Sequence, residues 1–162
     1  MNEKQKDTYI AWLNDAHAME LGLITMLEKQ VEETTNEPAM QTQIKTHLEE
    51  TKRHAELVKE CVERNGGETS TGKDTLSKVS ATLNGLGVSM MSDAMVKNVH
   101  SSFAAEYFEI ATYITIRAAA ESLGDTETVD VCDQILEDEE RMADWLGEQL
   151  PMVVDRHITT LK

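Results

Sequence analysis

The chain has 162 residues, a length that suits one domain, and such a domain buries roughly 70% of the surface its unfolded form exposes without help from disulfides. Its formal net charge of -15 repels phosphate backbones and anionic headgroups, and no basic patch offsets it, so nucleic acid and membrane surfaces are excluded as expected partners. Cys61 and Cys132 match no C-x-x-C spacing and read as small core thiols. The start, MNEKQKDTYIAWLNDAHAME, lacks the order of a signal peptide, and no stretch approaches ~18 apolar residues, so a soluble, cytoplasmic protein is expected.

Apolar residues at three-and-four spacing fill long segments between rare prolines and glycines, which predicts an all-α chain. The first helix is expected over residues 6–33, with Tyr9, Trp12, Leu13, Ala16, Glu20, Leu23 and Leu27 on one stripe. After a turn at residues 34–37, Pro38 suits the first turn of a second helix over 38–65, which Gly66 and Gly67 end. Residues 66–91 are rich in Thr, Ser and Gly, hold one modest helical stretch over 74–86, and are too long for a hairpin. Ser92 and Asp93 cap a third helix over 92–123, and Gly124-Asp125 supplies its stop and the next cap. A fourth helix follows over 126–147, and after Pro151 a short C-terminal helix is expected over 152–161, packed across the bundle end. Two hairpins joined by one long crossover between helices two and three make a single ferritin-like four-helix-bundle domain over 1–162.

The apolar stripes carry acids. Glu20 lies four residues after Ala16 and three before Leu23; Glu106 and Glu109 interrupt FAAEYFEIATY; Glu139 follows Ile135 by four and precedes Met142 by three; Glu50 and His54 lie four apart beside Leu48, Thr51 and Val58. Burying one unpaired carboxylate costs several kcal/mol, so five clustered acids require cations, shared protons or exposure. Two divalent ions nearly neutralise them. The expected metal ligands are therefore Glu20, Glu50, His54, Glu106, Glu109 and Glu139, a set that suits iron or manganese, with zinc as a surrogate. His17, three residues before Glu20, is expected as an outer or surface group; His47, His100 and His157 are not expected as ligands; Tyr113 is placed to hydrogen-bond one.

The segments YIAWLNDAHAME, HLEETKRHAELV, AAEYFEIATY and LEDEERMADWL resemble the YciE/YciF family of ferritin-like bacterial stress proteins, the YciE branch most closely, over about residues 8–158. The resemblance implies a cytoplasmic, homodimeric bundle with a dinuclear metal site. The ferritin-like pattern asks for single Glu ligands on two helices and Glu-x-x-His on the other two. Glu20 and Glu106 match the single acids, but Thr51 stands three residues before His54, and Met142 takes the position of the second imidazole. Two readings follow: a carboxylate-rich variant in which Glu109 substitutes for the missing imidazole, or a site that has lost its metal.

The leading expectation is a metal-binding protein that handles iron or reactive oxygen under stress, with dioxygen or peroxide as the small oxidant. The alternative is a non-catalytic bundle with a degenerate site, acting by self or partner association. A nucleophilic enzyme is disfavoured: no G-x-S-x-G elbow or phosphate-binding glycine loop is present.

Overall fold

The computed structural model describes residues 1–69 and 93–161. They form four helices, α1 (Glu3–Glu33), α2 (Pro38–Arg64), α3 (Ala94–Leu123) and α4 (Thr126–Thr160). The helical stretch expected over 74–86 lies outside the described residues. Among those residues, no helix is long and apolar enough to cross a membrane.

Local chemistry fixes the ends of these helices. Asn2 caps α1 in a reciprocal capping box with Gln5, and Pro38 opens α2, where its missing donor costs nothing. Asp93 caps α3 by accepting from the Val96 N–H. Gly124 ends α3 at φ 76°, in the left-handed region where a side chain would be strained. Gly67, beyond α2, lies so close to α1 that an added Cβ would stand 2.6 Å from Ile10 Cγ2.

One expected boundary is corrected. The C-terminal residues are helical, yet they continue α4 through Pro151 to Thr160 instead of forming a separate helix after a break near residue 147. A proline inside a helix costs about 3 kcal/mol or more. The extension is held by Val153, buried among Leu27, Met40 and Leu146, and by ion pairs from Arg156 to Glu37 (2.5 Å) and from His157 to Asp93 (2.9 Å).

Helix α1 packs mainly on α2, and α3 on α4, as two hairpins that close against each other. The apolar core is split. One cluster contains Tyr9, Leu13, Val58, Ile116 and Ile135, and a second contains Leu27, Ile44, Val96 and Leu146. On all four helices the buried acids and imidazoles lie near mid-length, close to where one cluster gives way to the other.

At the end of the first cluster, Asp125 joins three helices. It caps α4, accepting from the Thr128 N–H (3.2 Å) and hydroxyl (2.6 Å), and it also accepts from the buried Tyr9 hydroxyl (3.0 Å) and from Asn65 Nδ2 (2.9 Å). Losing a cap costs about 1 kcal/mol, and stranding a buried hydroxyl costs about 1–3 kcal/mol. Asp125→Ala is therefore expected to lower the urea unfolding free energy by about 2–4 kcal/mol, without change in the metal content of the folded protein.

Candidate metal centre

The polar layer between the clusters is built one face at a time. From α1 comes Glu20; from α2, His47 and His54; from α3, Glu106 and Glu109; from α4, Glu139, all buried. Their ligand atoms form two groups: His47, Glu106, Glu109 and Glu139 in one, and Glu20, His54 and Glu139 in the other. Within each group the atoms lie within 4.8 Å of one another. Glu139 belongs to both.

The two imidazoles present opposite ring nitrogens to the interior. His47 Nε2 stands 3.3 Å from a Glu106 oxygen and 3.6 Å from Glu139, while His54 Nδ1 stands 2.9 Å from Glu139, off hydrogen-bond geometry. Each outward nitrogen meets a carboxylate. His47 Nδ1 is 3.3 Å from Glu50 Oε2, and His54 Nε2 is 3.1 Å from Asp138 Oδ2. Tyr113, itself fully buried, donates a short hydrogen bond to Glu20.

Crowding acids in a dry core changes their proton affinity. Burial, reinforced by the charge of Glu139, pushes Glu20 up to about 8 from 4.5. Burial also pushes Glu106 up to about 8, against the pull of His47. Glu109 rises well above the carboxylate range through burial and three neighbouring acids. Burial alone would raise Glu139 too, but the His54 and His47 imidazoles hold it below its ordinary value. Burial would lower both histidines, yet their carboxylate neighbours raise them, His47 strongly.

Polar satisfaction tests whether these residues fit a metal. Nine buried side-chain atoms find no hydrogen-bond partner among the described residues, and seven of them belong to Glu20, His54, Glu106, Glu109 and Glu139. Native cores leave few such atoms, so their concentration here, in two groups of His and Glu, fits a metal site. Oxygen and imidazole donors of this kind suit iron and manganese.

The structure therefore brings together five of the six residues expected as ligands: Glu20, His54, Glu106, Glu109 and Glu139. It does not place Glu50 in either group. Glu50 is half-buried on the flank of α2, where one oxygen faces His47 and the other accepts from Arg141 at 2.6 Å. His47, expected as a bystander, lies in the first group. The signal for it was the seven-residue step to His54: two helical turns bring the two rings to within about 20° of each other on one face. His17 is buried rather than exposed, with Nδ1 unpartnered, but belongs to neither group. His100 and His157 also lie outside both. Thr51 and Met142 are fully buried, Met142 as part of the second apolar cluster, and Thr51 donates to the His47 carbonyl oxygen at 2.9 Å.

Known proteins agree with this architecture. The family described as "Domain of unknown function (DUF892)" matches residues 4–159. A crystal structure from Xanthomonas campestris pv. campestris matches with a TM-score of 0.81 at 29% identity, covering 96% of this chain and 97% of that one. The E. coli stress protein YciF matches with a TM-score of 0.79 at 23% identity, covering 95% and 99%. A Desulfovibrio desulfuricans bacterioferritin, whose structure describes a diiron site, matches with a TM-score of 0.77 at 23% identity, covering 96% and 85%. These agree with the resemblance to the YciE/YciF family and with a ferritin-like bundle.

Proposed function

The chain belongs to the DUF892 family, and from that premise we propose that it is a ferritin-like metalloprotein with a dinuclear iron or manganese centre. Glu20, His54 and Glu139 hold one ion; His47, Glu106, Glu109 and Glu139 hold the other. The observation that carries this reading is the concentration of unpartnered buried ligand atoms in the layer between the two apolar clusters.

The departures at Thr51 and Met142 fit the same reading. The ferritin-like set comprises four carboxylates and two imidazoles, and this layer has the same inventory at shifted positions. Glu109 on α3 supplies the carboxylate absent at Thr51, and His47 on α2 supplies the imidazole absent at Met142. Four carboxylates also balance two divalent ions, which the five acids expected from sequence did not.

When bound, the ions supply redox chemistry toward dioxygen or peroxide, the substrate class of this reading. The chain's own residues set the conditions for it. Tyr113 donates its hydroxyl hydrogen to a Glu20 oxygen and so favours the ionised, ligating carboxylate, and the apolar clusters on both sides exclude bulk water. We extend the reading to a cytoplasmic homodimer active under stress, which the YciE/YciF resemblance supports, with zinc as an inactive surrogate ion.

Elemental analysis of protein purified without chelator or a His tag tests the centre. Wild type is expected to carry about two equivalents of iron or manganese, lost in a Glu20→Ala, Glu106→Ala double variant. Metal below about a tenth of an equivalent after anaerobic Fe2+ and Mn2+ loading would instead favour a bundle that acts by association.

A further inference from the structure

A second layer of charge surrounds the candidate centre on its α2–α4 side. Glu50 and Asp138 each divide their two oxygens in the same way. Glu50 turns Oε2 to His47 and Oε1 to Arg141, and Asp138 turns Oδ2 to His54 and Oδ1 to Arg141. Both contacts to the guanidinium measure 2.6 Å and reach the same nitrogen, Arg141 Nη2. Arg53 also pairs with Asp138 but makes no contact with Glu50 among the described residues. One exposed cation thus joins the two carboxylates that touch the outward faces of the two imidazoles.

This arrangement has a chemical consequence. An imidazole can turn its inward nitrogen to a metal only when its outward nitrogen carries the proton, and a carboxylate accepting that N–H fixes both the tautomer and the ring plane. A carboxylate on a helix flank has several rotamers, and a guanidinium bound to its other oxygen selects one of them. We propose that Arg141 is a positioning residue for both metal ions, clamping Glu50 and Asp138 so that they orient His47 and His54 together. The clamp rests on the metal-centre reading and adds a coupling that the buried ligands alone do not provide. It also gives Glu50 a role: it orients a ligand instead of binding metal.

Stepwise Co2+ titration of the metal-free protein, followed by the visible ligand-field spectrum, reads each ion separately, and His47→Ala and His54→Ala assign the two steps. Glu50→Ala is expected to weaken the step assigned to His47, and Asp138→Ala the step assigned to His54, each about 10–100-fold. Arg141→Met weakens both and alters both spectra. Arg117→Met is the control: Arg117 pairs with Asp133 and Glu121 outside the centre and should move neither step. Because Arg141 is half exposed, the melting temperature of metal-free Arg141→Met should stay near wild type. Unchanged Co2+ steps in Arg141→Met, or equal shifts in Arg117→Met, would overturn the clamp while leaving the metal centre standing. Failure of the wild type to bind Co2+ would overturn the centre, and the clamp with it.

Discussion

Replacing Glu139 with glutamine is expected to abolish binding of both metal ions, taking the metal content from about two equivalents to below about a tenth. Of the six buried ligand candidates, it alone belongs to both groups. Both its oxygens lack hydrogen-bond partners among the described residues. It is also the acid that the surrounding imidazoles keep ionised, while Glu20, Glu106 and Glu109 are pushed toward their protonated forms. Glutamine keeps the volume and removes the charge. Each ion would then lose a ligand, and the site would lose one of the negative charges that offset two divalent ions in a low-dielectric core. Glu20→Gln, by contrast, touches one group and is expected to leave about one equivalent bound. Elemental analysis of the two variants distinguishes these outcomes, and a Glu139→Gln protein that retains one tightly held ion would contradict the shared role.

Most of the layer was legible because an acid inside an apolar stripe is conspicuous. Glu20, Glu106, Glu109 and Glu139 each interrupt a three-and-four pattern that the apolar clusters require, and the helix count followed from the same pattern. What misled on α2 was a geometric coincidence. Glu50 and His54 lie four apart and share a side of the helix, but that side is the edge of the buried face. Its centre runs through Thr51 and Val58, about 100° around from Glu50. Being on a helix's side is not the same as being in its core, and only the packing of α4, which brings Arg141 over that edge, separates them. Pro151 misled for a related reason. Its local preference is to stop a helix, but local preference yields when later residues such as Val153 gain a buried place. His47 was overlooked because an imidazole on a helix face is less conspicuous than an acid in an apolar stripe, although its seven-residue step to His54 put both rings on one face.

The same crowding predicts an inverted dependence of stability on pH. Burial pushes Glu20 and Glu106 up to about 8 in the folded, metal-free chain, against 4.5 when unfolded. Between those values the folded state holds protons that the unfolded state has released, so stability falls as pH rises through this window. Glu109 acts in the same direction. His47 and His54 are raised above 6.5; their contribution is fully present below that value and is lost as pH rises through the folded one. Glu139, Glu50 and Asp138 are lowered and oppose this trend only in acid, where their contribution is lost as pH falls below the ordinary carboxylate range. Metal reverses the slope. Ligands must be deprotonated to bind, so loading releases protons and becomes more favourable as pH rises. In EDTA, the melting temperature is expected to fall between about pH 5 and pH 8.5, whereas with excess Mn2+ it should hold or rise, so the gap widens with pH. General repulsion in a chain of net charge -15 would also lower stability at high pH. The Glu20→Gln, Glu106→Gln variant separates the two causes: it removes two of the titrations and barely changes the surface charge. If its metal-free slope flattens, the buried carboxyls set the pH dependence; a slope equal to that of wild type would assign it to the surface and contradict the proton affinities on which this argument depends.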